Sequence, residues 1–131
     1  MRSLIFNVAF YAVSTLYVLT ATAVSILPGR RAVGMVVRTY ARRMLWWMRS
    51  VAGIKVDLRG QERLPEGAFI IAAKHQSYGD GFVMYAHVDN LAFVTGDHLE
   101  KFPLIGGVLK KLGAIVVDNC GGPEARRALA E

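Results

Sequence analysis

From Leu4 to Leu27 the chain carries no charged residue. Wound as a helix at about 1.5 Å per residue, this run reaches roughly 36 Å, more than the roughly 30 Å hydrocarbon core of a bilayer. Asn7 and several Ser and Thr lower its hydropathy, but their side chains can bond back to the helix. Pro28-Gly29 stops it. The pattern predicts a membrane-spanning anchor. Two other readings stay open: Arg2, the apolar stretch and Ala21-Thr22-Ala23 outline a secretory signal with its cleavage site, and a buried soluble helix has the same composition.

Ala32 to Gly53 predicts a second helix. At 100° per residue Arg31, Arg38, Arg42 and Arg49 form one stripe, and Val33, Tyr40, Met44, Trp47 and Val51 fall on the opposite face. Arginines opposite Trp and Met predict an amphipathic helix lying in the membrane interface. The alternative is a helix packed on the domain with its arginines in water.

After Gly53 the period changes. Lys55 to Arg59 alternates apolar and polar residues, as a half-exposed strand does. Leu64-Pro65-Glu66-Gly67 is turn chemistry, and Ala68 to Ala73 is a short apolar run that predicts a buried strand. Gly81 to His87 predicts a helix with Asp80 at its start, Leu91 to Thr95 a strand, Phe102 to Leu112 a helix, and Ala114 to Asp118 a further strand. Gly121-Gly122-Pro123 breaks the chain before a last helical stretch, Glu124 to Glu131. The expected class is α/β: an N-terminal membrane helix and an interfacial helix over residues 1–54, then part of an α/β domain with a partly parallel sheet over 55–131.

Composition sharpens the membrane reading. Hydrophobic residues make up 53% of the chain and the formal net charge is +6. Every charged residue before Asp57 is basic, so the excess belongs to the apolar N-terminal part. That placement suits an anionic membrane surface and argues against nucleic acid, whose phosphates would need the same arginines without an apolar anchor beside them. A single cysteine, Cys120, excludes an internal disulfide and a cysteine metal cluster.

The candidate chemistry is in "KHQSYGD", Lys74 to Asp80, where His75 and Asp80 follow an apolar run and precede a helix. Carboxyl ends of strands are where α/β folds bind ligands. A histidine there serves as a general base if one ring nitrogen meets a hydroxyl and the other meets a carboxylate that fixes its tautomer. Gly79 is expected to give the turn its freedom. The bland reading is a capping Asp80 and a His75 bonded to backbone. His87 reads as a helix-end residue and His98 as a surface residue.

The motif resembles the first block of the glycerolipid acyltransferases that include 1-acylglycerol-3-phosphate acyltransferase: a histidine, four residues and an aspartate, after a basic or amide residue. "FPLIGGVLKKLGAIVVD", Phe102 to Asp118, resembles the second block, with a proline, a glycine three residues later and a Gly-x-Ile run into a strand end. The resemblance implies acyl transfer from acyl-CoA or acyl-carrier protein to the hydroxyl of a lysophospholipid, giving phosphatidic acid. His75 would take the hydroxyl proton and Asp80 would orient His75. Gln76, Ser77, Gly79, Lys101, Pro103 and Gly106 would line the substrate site. It implies no metal, no redox cofactor and no acyl-enzyme, so Cys120 is expected to be inert. It also implies a bacterial inner-membrane protein with its catalytic domain on the cytoplasmic side, in keeping with the arginines after Leu27.

Three departures qualify this. The lysine usual upstream of the second-block proline is matched near Gly96, and the arginine usual after the strand-end aspartate is matched by Asn119. Lys101, Lys110 and Lys111 replace those cations only if the fold brings them near. The family's third block, Phe-Pro-Glu-Gly-Thr-Arg, is absent, which implies a chain truncated at its C-terminal side. Another acceptor, such as a lyso-ornithine lipid, or a catalytically inactive membrane-anchored module that binds lipid or a partner protein, therefore remains an alternative.

Overall fold

The computed structural model describes residues 2–102 and 104–117. Two long helices come first, α1 (Arg2–Val24) and α2 (Arg31–Ser50). A 3-10 turn, Gln61–Arg63, interrupts a long irregular connection. Then follow α3 (Tyr78–His87), β1 (Val94–Gly96), α4 (Asp97–Glu100), α5 (Ile105–Leu112) and β2 (Ile115–Val117). The described residues are mostly helical, with one small parallel sheet. β1 and β2 pair in the register Val94 with Ile115 through Gly96 with Val117, and α4 and α5 supply the crossover that parallel neighbours require.

α1 ends at Val24, three residues before the end of the expected run at Leu27, and it is the one described helix long and apolar enough to cross a membrane by length and composition. α1 and α2 form an antiparallel hairpin. Ala21 packs with Val33, and further along the Ser14 hydroxyl lies 2.8 Å from the Tyr40 hydroxyl. The core is small. Ala21, Val33, Val108 and Leu112 are buried together, with Val24, Val36, Val37 and Tyr85 packed against them. Full burial of a Val or Leu side chain stabilises by about 1.5–3 kcal/mol, so these few contacts hold α1, α2 and α5 as one layer.

The apolar face of α2 is buried, but by protein. Val33, Ala41 and Met44 are each at most 1% exposed, where α2 packs on α1, α3 and α5. This is the packed-helix arrangement; the face assigned to the membrane interface has neighbours of its own. Arg38 leaves the expected solvated stripe to pair with Asp89, and Arg30 donates to the Asn90 carbonyl at 2.7 Å. Both tie α2 to the turn after α3.

Two expected strands do not form. Lys55 to Arg59 and Ala68 to Ala73 have no regular structure, and Ile70 is 96% exposed. An apolar run becomes a strand only with a backbone partner, and neither segment has one among the described residues. The expected helix from Phe102 to Leu112 is shorter, because Leu104 adopts φ 72° just before Ile105 and separates α5 from α4. The final expected helix, Glu124 to Glu131, lies outside the described residues, as do Pro103, Asp118, Asn119 and Cys120.

Candidate active site

α3 starts at Tyr78, three residues earlier than the apolar pattern suggests, because Ser77 caps it. Ser77 has extended backbone, and its Oγ accepts the Gly79 N–H at 3.0 Å. Such a cap satisfies a helix-start donor that has no partner inside the helix. Asp80 completes a capping box from the third helical position. Its Oδ2 accepts the Gln76 N–H at 2.7 Å and the Ser77 N–H at 2.9 Å. The chain is thereby folded back on itself over Gln76 and Ser77, and His75 is brought over the same oxygen: His75 Nδ1 lies 3.2 Å from Asp80 Oδ2.

The capping reading and the paired reading of this motif are thus both realised, by one atom. Asp80 Oδ2 holds the backbone turn and faces the imidazole. Its carboxyl sits below the usual carboxylate range, first because of the Gln76 N–H, then the Ser77 N–H, with a smaller contribution from His75 and against some desolvation. It is therefore charged at neutral pH and able to stabilise an imidazolium. The His75 side chain is 72% exposed, and Nδ1 is the ring nitrogen turned to Asp80. That leaves Nε2 for a molecule approaching from solvent.

Gly79 does not act as a flexible turn residue. It lies inside α3, and its φ is not positive. Its lack of a side chain serves a close approach instead: a Cβ there would stand 3.2 Å from the Met48 methyl of α2 and 3.1 Å from Ser77 Oγ. Met48 is a neighbour of the motif that sequence reasoning missed. It belongs to the apolar side of α2, but nothing in the sequence says which helix that side meets.

The other expected site residues divide. Gln76 contributes its backbone N–H, and Ser77 its cap. Gly106 is buried in α5, and a Cβ there would overlap the Glu100 carbonyl oxygen and lie 3.1 Å from its carbon. Its bareness is accounted for by packing of α5 on α4. Lys101 Nζ lies 2.6 Å from Asp97 Oδ2 and Lys110 Nζ 2.5 Å from Glu100 Oε1, so both cations are held at α4. His87 ends α3, with Nδ1 2.9 Å from the Val83 carbonyl, and His98 is exposed on α4, as expected of each. A cavity of about 120 Å³ lies behind α3, lined by Leu58, Leu64, Ile71, Val83, Met84 and Val88, with Arg59, Gln61 and His87. It includes neither His75 nor Asp80 and is smaller than the ~300–1,000 Å³ of most ligand sites. Among the described residues no three His, Cys, Asp or Glu side chains gather as a metal site.

The site thus pairs an exposed histidine with a carboxylate held at a helix start, beside a hairpin of two long helices. Residues 55–130 match the family described as Acyltransferase, and the chain belongs to that family. Over 106 residues it is 34% identical to the 1-acyl-sn-glycerol-3-phosphate acyltransferase of Pseudomonas aeruginosa, an alignment covering 81% of this chain and 41% of that protein. The chain thus spans about two-fifths of that relative's length. No solved structure matches it. The glycerolipid acyltransferase resemblance of Lys74–Asp80 and Phe102–Asp118 is borne out at the level of the family.

Proposed function

We propose that this chain carries the general base of a 1-acylglycerol-3-phosphate acyltransferase. The observation that carries the reading is the 3.2 Å approach of His75 Nδ1 to an Asp80 carboxylate held in place by two backbone N–H groups. His75 Nε2 takes the proton of the acceptor hydroxyl. The oxygen attacks the thioester carbonyl of acyl-CoA or acyl-carrier protein. The tetrahedral intermediate collapses, the thiolate leaves, and the imidazolium returns a proton to it. Asp80 keeps the imidazole in the reactive tautomer and stabilises its charged form. A base in this role typically supplies about 10²–10⁴-fold in rate. The chemistry asks for no metal or redox cofactor.

The parallel β1–β2 pair with its helical crossover fits the α/β domain expected from the sequence pattern. The arginines following α1 favour a cytoplasmic site on a bacterial inner membrane. A lyso-ornithine lipid is a second acceptor, favoured by the absence of a cation at Gly96, which ends β1, and by the engagement of Lys101 and Lys110 with α4 carboxylates.

Membranes carrying the chain, supplied with a radiolabelled thioester and either lysophosphatidic acid or lyso-ornithine lipid, test this reading. Transfer to lysophosphatidic acid that disappears in His75→Ala supports it. Transfer only to the ornithine lipid replaces the acceptor, and transfer undiminished in His75→Ala removes the base.

A further inference from the structure

The turn that brings His75 to Asp80 is held by bonds that are local and exposed. Asp80 Oδ2 accepts the Gln76 and Ser77 N–H groups, and Ser77 Oγ accepts the Gly79 N–H. The side chains of His75 and Tyr78 stand in solvent. A helix start held by its own cap alone opens readily. Keeping His75 Nδ1 at 3.2 Å from Asp80 Oδ2 therefore calls for a contact from outside the turn.

α2 supplies that contact. α3 runs back along α2, and their meeting points follow in opposite order. Arg38 pairs with Asp89 just past the end of α3. Tyr40 meets Phe82 in the middle of α3, edge to face, with ring centroids 5.5 Å apart. Met48 covers Gly79 in the first turn. Gly79, Phe82 and Ala86 recur at the three-and-four spacing of one helix face. Arg38 and Tyr40 thus fix the far end and the middle of α3, and Met48 acts at the end that carries Asp80. A Cβ on Gly79 would stand 3.2 Å from the Met48 methyl, 4.0 Å from its Sδ and 3.1 Å from Ser77 Oγ. The thioether and the capping hydroxyl share the space that the bare glycine leaves. Met48 is itself anchored, since its carbonyl accepts the Ile54 N–H at 3.0 Å where the chain leaves α2. An unbranched thioether suits an irregular gap of this kind. Without it the first turn of α3 is free to lift from α2, and the Ser77 cap and the Asp80 carboxylate move with it.

We propose that Met48 is a positioning residue for the base. Packed on Gly79, it keeps the first turn of α3 closed, so that Asp80 holds His75 in the tautomer that leaves Nε2 open. Its effect on rate rests on the acyl-transfer reading above; its effect on His75 does not.

The test compares Met48→Ala, Met48→Leu and Met44→Ala in the full chain in detergent. Met44 lies one turn away in α2 and is 1% exposed, so its truncation shows what a core cavity alone does. Nitrogen-15 NMR reads the His75 tautomer, circular dichroism the thermal midpoint, and transfer of a radiolabelled acyl group from a thioester to lysophosphatidic acid the kcat and KM. Met48→Ala should shift neutral His75 from the Nδ1-protonated form toward the mixture found in Asp80→Asn. It should lower kcat on the order of tenfold with KM within about twofold. Met48→Leu keeps bulk over Gly79 and should return both toward wild type. Met44→Ala should lower the thermal midpoint at least as far as Met48→Ala and leave the tautomer unchanged. A wild-type tautomer in Met48→Ala overturns the proposal. So does an equal shift in Met44→Ala, which would make the effect a general loosening. Wild-type transfer that is absent or indifferent to His75→Ala removes the acyl-transfer reading instead, and the tautomer comparison still decides the role of Met48.

Discussion

Gly106 and Gly107 are adjacent in α5, yet opposite results are expected when each is changed to alanine. At Gly106 a methyl would overlap the Glu100 carbonyl oxygen and lie 3.1 Å from its carbon, and both of those atoms are backbone. A flexible side chain could swing aside; a carbonyl in a helix cannot. α5 must move off α4 by a few tenths of an ångström or more, disturbing the buried Val108 and Leu112. Overpacking of this kind costs about 1–3 kcal/mol, several degrees in the thermal midpoint of a domain this size. At Gly107 a methyl meets nothing within 4 Å. Helical glycine to alanine then stabilises by about 0.5–1 kcal/mol through reduced freedom of the unfolded chain. Thermal unfolding of both variants in the same detergent, followed by circular dichroism, measures the contrast. A Gly106→Ala midpoint at or above wild type would refute the close approach of α5 to α4. It would also return Gly106 to the substrate-contact role that the family resemblance implies.

Ser77→Ala should destabilise the start of α3 by about 1 kcal/mol, with Ser77→Asp close to wild type, both read from urea denaturation. Tyr85 is half-buried, and its buried hydroxyl has no partner among the described residues, so Tyr85→Phe should be neutral or stabilising by up to about 1 kcal/mol. Burial pushes the Tyr85 phenol up to about 12 from 10.0. Between those values the unfolded chain gives up a proton that the folded one keeps, so stability falls as pH rises through that window, and Tyr85→Phe removes this part of the slope. The Asp80 carboxyl lies below its ordinary 3.8. Its contribution is therefore complete above about pH 4 and disappears as pH falls through the lowered folded value. A carboxyl chemical-shift titration with an ordinary midpoint would contradict the backbone cap.

Local signals were legible and pairings were not. α1 could be bounded from the uncharged run and Pro28-Gly29, and α2 from its arginine period, because both are written in consecutive residues. The inward side of α2 was also readable, since Val33 and Met44 are buried. Its cover was not, because a stripe of Val and Met looks the same to a bilayer and to a neighbouring helix. Ala68 to Ala73 shows the same limit in a strand: the run is apolar, but pairing depends on a partner distant in sequence. In Lys74–Asp80 the spacing pointed to the right two side chains. It could not show that one Asp80 oxygen caps the helix and faces the histidine, or that Gly79 is bare for the sake of Met48. Gly106 was legible as a motif position and not as a packing contact, since its neighbour Glu100 contributes only backbone.

The central claim is that Asp80 holds His75 with Nδ1 toward the carboxylate and Nε2 open to an acceptor. Nitrogen-15 NMR of histidine-labelled chain, with His75 assigned through His75→Gln, reads the tautomer directly. The account predicts a neutral His75 protonated on Nδ1, with that preference weakened in Asp80→Asn. A neutral His75 protonated on Nε2 and indifferent to Asp80→Asn would contradict it.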